Sequence, residues 1–177
     1  MNRIIGPYPR DPGVAFQDYD ARTTDVARRI ADAIMAQLPG VTVEHIGSTA
    51  VPGCAGKGVV DLMLVYQRGQ LGVAKELLKA LGFQRQTHGH RFPETRPMRV
   101  GTLEHDGTVF RPHIHVLEAG SDEVTALRRF RDRLRADPQL VAAYVARKRE
   151  ILAAGVNEPA DYTARKGKFI EDWLRSP

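Results

Sequence analysis

A carboxylate inside an otherwise apolar run constrains this chain more than any other feature. Residues 59–66 read VVDLMLVY, a nearly continuous apolar stretch of the kind that forms a strand covered on both faces. Asp61 stands within it, where a charged group loses its hydration unless something compensates it. Either a loop amide or a lysine such as Lys57 does so, which makes Asp61 structural, or a metal or ligand does, which makes it a catalytic candidate. Upstream, VTVEHI (41–46) alternates as a half-buried strand does. Between the two, GSTAVPGCAGKG (47–58) reads as a glycine-rich loop with room for one helical turn.

The remaining pattern sets the class. Residues 1–15, rich in Pro and Gly, read as an extended lead-in. A helix is expected from about Asp20 to Leu38, with Val26, Ile30, Ala33 and Ile34 inward and Gly40 as its stop. A short amphipathic helix covers Leu71 to Leu81. Two strands follow, around Met98–Glu104 and Thr108–Glu118, joined by the hairpin signal HDG (105–107). Ser121 or Asp122 caps a helix carrying Val124, Leu127, Phe130 and Leu134. Asp137 followed by Pro138 opens a second, closed by Gly155. A third opens near Pro159, with Tyr162, Phe169, Ile170 and Trp173 inward. The order predicts an α+β fold: a mixed β-sheet with flanking helices and a C-terminal helical segment.

The 177 residues suit one domain, with 1–120 as the sheet-containing core and 121–177 as a helical part packed on it. Hydrophobic residues make up 42% and charged residues 27%, a composition that does not favour disorder. One cysteine, no signal-like leader and no apolar run of membrane-spanning length predict a cytoplasmic protein with no membrane partner. The net charge of +5 suits a nucleotide or another phosphorylated small molecule. The basic residues are interspersed with acidic ones, so nucleic acid is not favoured as a partner. The oligomeric state is not legible.

His113 and His115 in HIHV share one side of their strand, because side chains alternate. Beside the Asp61 strand they would bring two imidazoles to one carboxylate, and His45 would add a third nitrogen. Such an N/O set suits zinc, manganese or nickel better than magnesium. The alternative is a pair of half-buried histidines bonded to their neighbours. Gly47, Ser48 and Thr49 offer backbone N–H groups and hydroxyls to a phosphate, or else make a plain tight turn. Arg128, Arg131 and Arg135 line one helix side, as solvated ion-paired rows do, with Asp132 as a partner. Lys166, four residues from both Tyr162 and Ile170, either snorkels outward or turns its ammonium into the cleft. Gly56-Lys57 is no P-loop, since Val51 and Gly58 occupy required glycine and Ser/Thr positions, and Cys54 reads as a structural thiol.

Gly47-Ser48, a loop and then Asp61 resemble the signature of the DNA polymerase beta-like nucleotidyltransferases. Twelve residues, Thr49 to Val60, separate Ser48 from Asp61, which fits that signature. More specifically the chain resembles the GrpB family over nearly its whole length. The likeness rests on EHIGSTAVPG (44–53), GKGVVDLML (56–64), HIHV (113–116), FRDRLRADPQLVAAYVARKREI (130–151) and Tyr162, Lys166 and Phe169. It implies a nucleotidyltransferase fold and, since the family occurs fused to some dephospho-CoA kinases, a link to nucleotide or coenzyme metabolism. Asp61 would then be catalytic, and Gly47, Ser48, Thr49, Lys57, Arg131 and Lys166 would hold phosphates. His45, Asp61, His113 and His115 would ligate a divalent metal, Zn, Mn, Ni or Mg.

One departure bears on mechanism. The superfamily's second carboxylate falls on Met63, and its third falls on the strand of His113 and His115. Two-metal transfer needs those acids to hold its ions. Three readings therefore stay open: a nucleotidyltransferase with a rebuilt metal site, a catalytically degenerate nucleotide-binding module, and a transition-metal-dependent hydrolase.

Overall fold

The structure, a computed structural model, describes residues 4–9, 15–86, 92–156, 161–162, 164–167 and 169–170. Its elements in chain order are α1 (Arg22–Met35), β1 (Thr42–Ile46), β2 (Val59–Tyr66), α2 (Leu71–Leu81), β3 (Gln84–Arg85), β4 (Met98–Val100), β5 (Leu103–His105), β6 (Thr108–Glu118), α3 (Asp122–Ala136) and α4 (Pro138–Ala153). Among the described residues the strands form one mixed sheet in the order β1-β2-β6-β4-β3, with β5 added on β6. β2, the apolar run, pairs in parallel with β6 at its centre, and β1 runs antiparallel on the outer edge of β2. The α+β expectation holds, with one mixed sheet and flanking helices.

Alternation along β2 and β6 sorts their side chains to two faces. Val60, Leu62, Leu64, Ile114 and Val116 pack under Val26, Ile30 and Ile34 of α1 and Leu77, Leu78 and Leu81 of α2. The opposite face gives Met63, Val65 and Leu117 to a smaller cluster with Ile46 and with Val124 of α3. A third cluster ties Val51 and Cys54 of the glycine-rich loop to Phe130, Leu134, Leu140 and Tyr144 of α3 and α4. The loop is thus clamped by the helical part of the chain.

Two expectations are corrected. The strand expected over Met98–Glu104 is split into β4 and β5. Opposite Gly101 stands Pro112, which has no N–H to return to the ladder, so pairing stops there. Thr102 bonds instead to Gly6, and a Cβ on Gly101 would lie 2.1 Å from Ile5 Cγ2. The N-terminal segment, expected as an extended lead-in, is tied into the fold, with Ile5 in the main core. In α1 the inward alanines are Ala27 and Ala31, while Ala33 is half-buried. Tyr162 is buried as expected; Pro159 and Trp173 lie outside the described residues. Among the described residues no helix is long and apolar enough to cross a membrane.

The Asp137 cap is present: its side chain accepts from the backbone N–H groups of Gln139 and Leu140 at 2.9 and 3.1 Å. Asp137→Ala is expected to lower stability by about 1 kcal/mol, read as a shifted urea midpoint at unchanged slope.

Candidate functional site

Register brings three of the expected residues together. Asp61 pairs with His113 and Met63 with His115 across the parallel β2–β6 ladder, so all four side chains share one face. Asp61 Oδ1 lies 3.9 Å from His113 Nδ1 and 3.8 Å from His115 Nε2. Burial alone would raise the Asp61 pKa, but the His115 hydrogen bond, the histidines and the charge of Lys166 outweigh it, so the carboxyl stays below its usual range. Burial, the main cause, pushes His113 down to about 4, so the ring is neutral at pH 7. Each imidazole is also gripped from behind. Tyr8 Oη lies 2.8 Å from His113 Nε2, and Arg96 Nη2 lies 3.1 Å from His115 Nδ1.

The glycine-rich loop approaches this carboxylate closely. Gly47 has φ +70° and ψ −169°, and a Cβ there would lie 2.7 Å from Asp61 Oδ2. Ser48 begins the helical turn that follows. A Cβ on Gly56 would meet Lys148 Nζ at 3.1 Å and Ser48 Oγ at 3.3 Å, which places the Lys148 ammonium beside Ser48. Lys148 is 1% exposed; it bonds to the Ala55 carbonyl and sits 4.4 Å from the centre of the Tyr144 ring. Lys57 Nζ stands 3.7 Å over the Tyr162 ring. Its pKa is pushed down to about 8, first by burial and then by the charges of Lys166 and Arg111. Arg111 in turn donates to the Lys57 carbonyl at 2.9 Å. Lysines 57, 148 and 166 and Arg111 thus gather round Ser48 and the Asp61 carboxylate.

Other expected site residues are placed elsewhere. His45 pairs with Leu62, one residue out of phase with Asp61, so it faces the opposite side of the sheet. Its Nε2 lies 3.0 Å from Thr49 Oγ1, and burial brings its pKa down to about 4. The Thr49 hydroxyl donates to the Val59 carbonyl at 2.9 Å, so it must accept from His45 Nε2–H. That hydroxyl links the loop to β2 and has no hydrogen left for a phosphate. Arg131 reaches Glu44 at 2.9 Å and Asp132 at 2.7 Å rather than the cleft. Burial pushes the Cys54 thiol up, as suits a structural residue.

The magnesium chemistry implied by the superfamily resemblance does not fit this donor set. Met63 is buried in the α3 cluster. Glu44, opposite Met63 on the Asp61 face, is clamped by Arg128 and Arg131. Asp61 is left as a single carboxylate beside two imidazoles, where octahedral magnesium takes oxygen ligands.

Lys148, Tyr8, Arg96, Arg111 and Glu44 were not singled out by the sequence. Lys148 had a signal: it follows Leu140 and Tyr144 at spacings of four, on the inward stripe of α4. Tyr8 had none, since the segment that carries it is placed by a bridge between Gly6 and Thr102, far along the chain.

The comparisons with known proteins agree with this architecture. A sequence model of the GrpB protein family matches residues 13–176. A UPF0157 protein of Streptomyces coelicolor is 35% identical over 176 residues, covering 94% of this chain and 85% of that one. Another, from Vibrio cholerae, is 30% identical over 154 residues, covering 87% and 77%. Among solved structures, the conserved protein GrpB from Enterococcus faecalis superposes with a TM-score of 0.64 at 18% identity, over 91% of this chain and all of that one, 100%. Cid1 in complex with its short product ApU gives 0.52 at 15% identity, over 75% of this chain and 42% of that one. At such identities these two likenesses establish the fold, which is nucleotidyltransferase-like.

Proposed function

The chain belongs to the GrpB family, and from that premise we propose that it binds a nucleotide or coenzyme-type phosphate ligand between the Ser48 turn and the Asp61–His113–His115 face. The observation carrying this reading is the cation set. Lys57, Lys148, Lys166 and Arg111 surround Ser48 and one carboxylate, an arrangement whose net positive charge calls for a polyanion. In this reading Ser48 adds its hydroxyl to the phosphate oxygens, and Asp61 accepts a hydrogen bond from a ligand hydroxyl or amino group. Cid1, a structural neighbour, has RNA terminal uridylyl transferase activity, which supports a nucleotide as the ligand class. The buried Met63 and the Glu44–arginine clamp favour binding over two-metal transfer.

Calorimetry with ATP, UTP and dephospho-coenzyme A, each in EDTA and in magnesium, tests the proposal. Saturable binding in EDTA is expected for at least one of them. Lys57→Ala and Lys166→Ala should each weaken it about 10-fold or more, as loss of a charge-assisted contact does. No heat from any of the three at millimolar concentration would remove the reading. Pyrophosphate release that requires Asp61 would replace it with transfer.

A further inference from the structure

The nitrogen atoms that a metal at Asp61 would need carry hydrogens toward it, and the cause lies behind each ring. Arg96 Nη2 stands 3.1 Å from His115 Nδ1. A guanidinium donates and has no lone pair to accept with, so Nδ1 is the acceptor and the neutral ring carries its hydrogen on Nε2. Nε2 is the atom 3.8 Å from Asp61 Oδ1. Arg96 is held in place: its Nε donates to Glu123 Oε2 at 2.9 Å, Nη2 also bonds to Glu123 Oε1, and its guanidinium carbon lies 4.4 Å from the centre of the Phe92 ring. At His113 the carboxylate is 3.9 Å from Nδ1 and Tyr8 Oη is 2.8 Å from Nε2. With the Tyr8 O–H donated to Nε2, the His113 ring carries its hydrogen on Nδ1, the atom facing the anion. A metal-ligating imidazole is set the other way, with its lone pair on the metal and its N–H donated outward to a carboxylate or carbonyl.

We propose that Asp61, His113 and His115 form a metal-free carboxylate–imidazole site, in which Arg96 and Tyr8 are positioning residues that fix the two tautomers from behind. The site presents one anionic acceptor steadied by two N–H donors, which suits a hydroxyl or amino group of a ligand. That last step rests on the ligand reading above; the tautomers and the exclusion of metal do not.

Two measurements decide it. Nitrogen-15 NMR of the histidine rings in the wild-type protein, at pH 7 in EDTA, should find the His115 hydrogen on Nε2. A signal placing it on Nδ1 overturns the proposal. Calorimetric titration with Zn²⁺, Mn²⁺ and Ni²⁺ should show no wild-type binding that depends on Asp61. Arg96→Gln supplies an amide oxygen able to accept from Nδ1–H, and it should gain Zn²⁺ affinity by about 10-fold or more, removed again by Asp61→Asn. Arg96→Lys, which keeps a donor, should gain none. Stoichiometric wild-type binding lost in both Asp61→Asn and His115→Gln contradicts the proposal, as does a folded Arg96→Gln without the gain. The NMR measurement needs no variant, so a variant that fails to fold leaves the proposal decidable. Neither measurement uses a nucleotide, so failure here is distinct from failure of the ligand reading.

Discussion

Gly47→Ala is expected to lower stability by about 2–4 kcal/mol and to abolish ligand binding. Two causes add. The backbone at φ +70°, ψ −169° lies in a region essentially restricted to glycine, and the new methyl would meet Asp61 Oδ2 at 2.7 Å. Neither neighbour yields cheaply, because Asp61 is held by β2 and by two imidazoles while Gly47 is anchored where β1 ends. Gly53→Ala is the control in the same loop. Its φ is +75°, but nothing lies within 4 Å of the added carbon, so only the conformational term of about 1 kcal/mol applies. Denaturant titration of the two variants measures the difference. Equal losses would show that the approach to Asp61 is not tight.

Stability is also expected to fall steeply as pH drops from about 6.5 to about 4. His45 and His113 are both pushed down to about 4 from an ordinary value of 6.5, burial being the main cause. Within that window the unfolded chain binds protons that the folded protein refuses, so stability rises with pH and is lost on acidification. Each histidine contributes on the order of 3 kcal/mol, present in full above pH 6.5. The carboxyl of Asp61, shifted below its usual range, takes effect only at still lower pH. His45→Gln keeps a donor for Thr49 and removes one titrating group, so it should roughly halve the slope between pH 6.5 and 4. Urea midpoints measured across that range check it. An unchanged slope would mean that His45 is already solvated in the folded protein.

These residues show what was legible from the sequence. The period of HIHV placed His113 and His115 on one side of their strand, because alternation is a local property; that Asp61 meets them there comes from the parallel β2–β6 register. His45 was expected to add a nitrogen from the end of its strand, but antiparallel register pairs it with Leu62 and turns it to the other face, which alternation within one strand does not contain. Thr49 and Arg131 have the chemistry of phosphate ligands, yet tertiary packing uses one to tie the loop to β2 and the other to clamp Glu44. Tyr8 and Arg96 act through contacts 105 and 19 residues away in sequence, and no spacing encodes those. Periodicity thus paired the two imidazoles, while their meeting with Asp61 and the groups that orient them come from the tertiary fold.

In the proposed complex, phosphates sit between Ser48 and the lysines over Asp61. Amide and lysine chemical-shift mapping during an ATP titration in EDTA tests it most directly. Saturable shifts confined to Gly47–Ser48, Lys57, Lys148, Lys166 and Asp61 are predicted. Shifts confined to the arginine face of α3, or no shifts at saturating ATP, UTP and dephospho-coenzyme A alike, would contradict it.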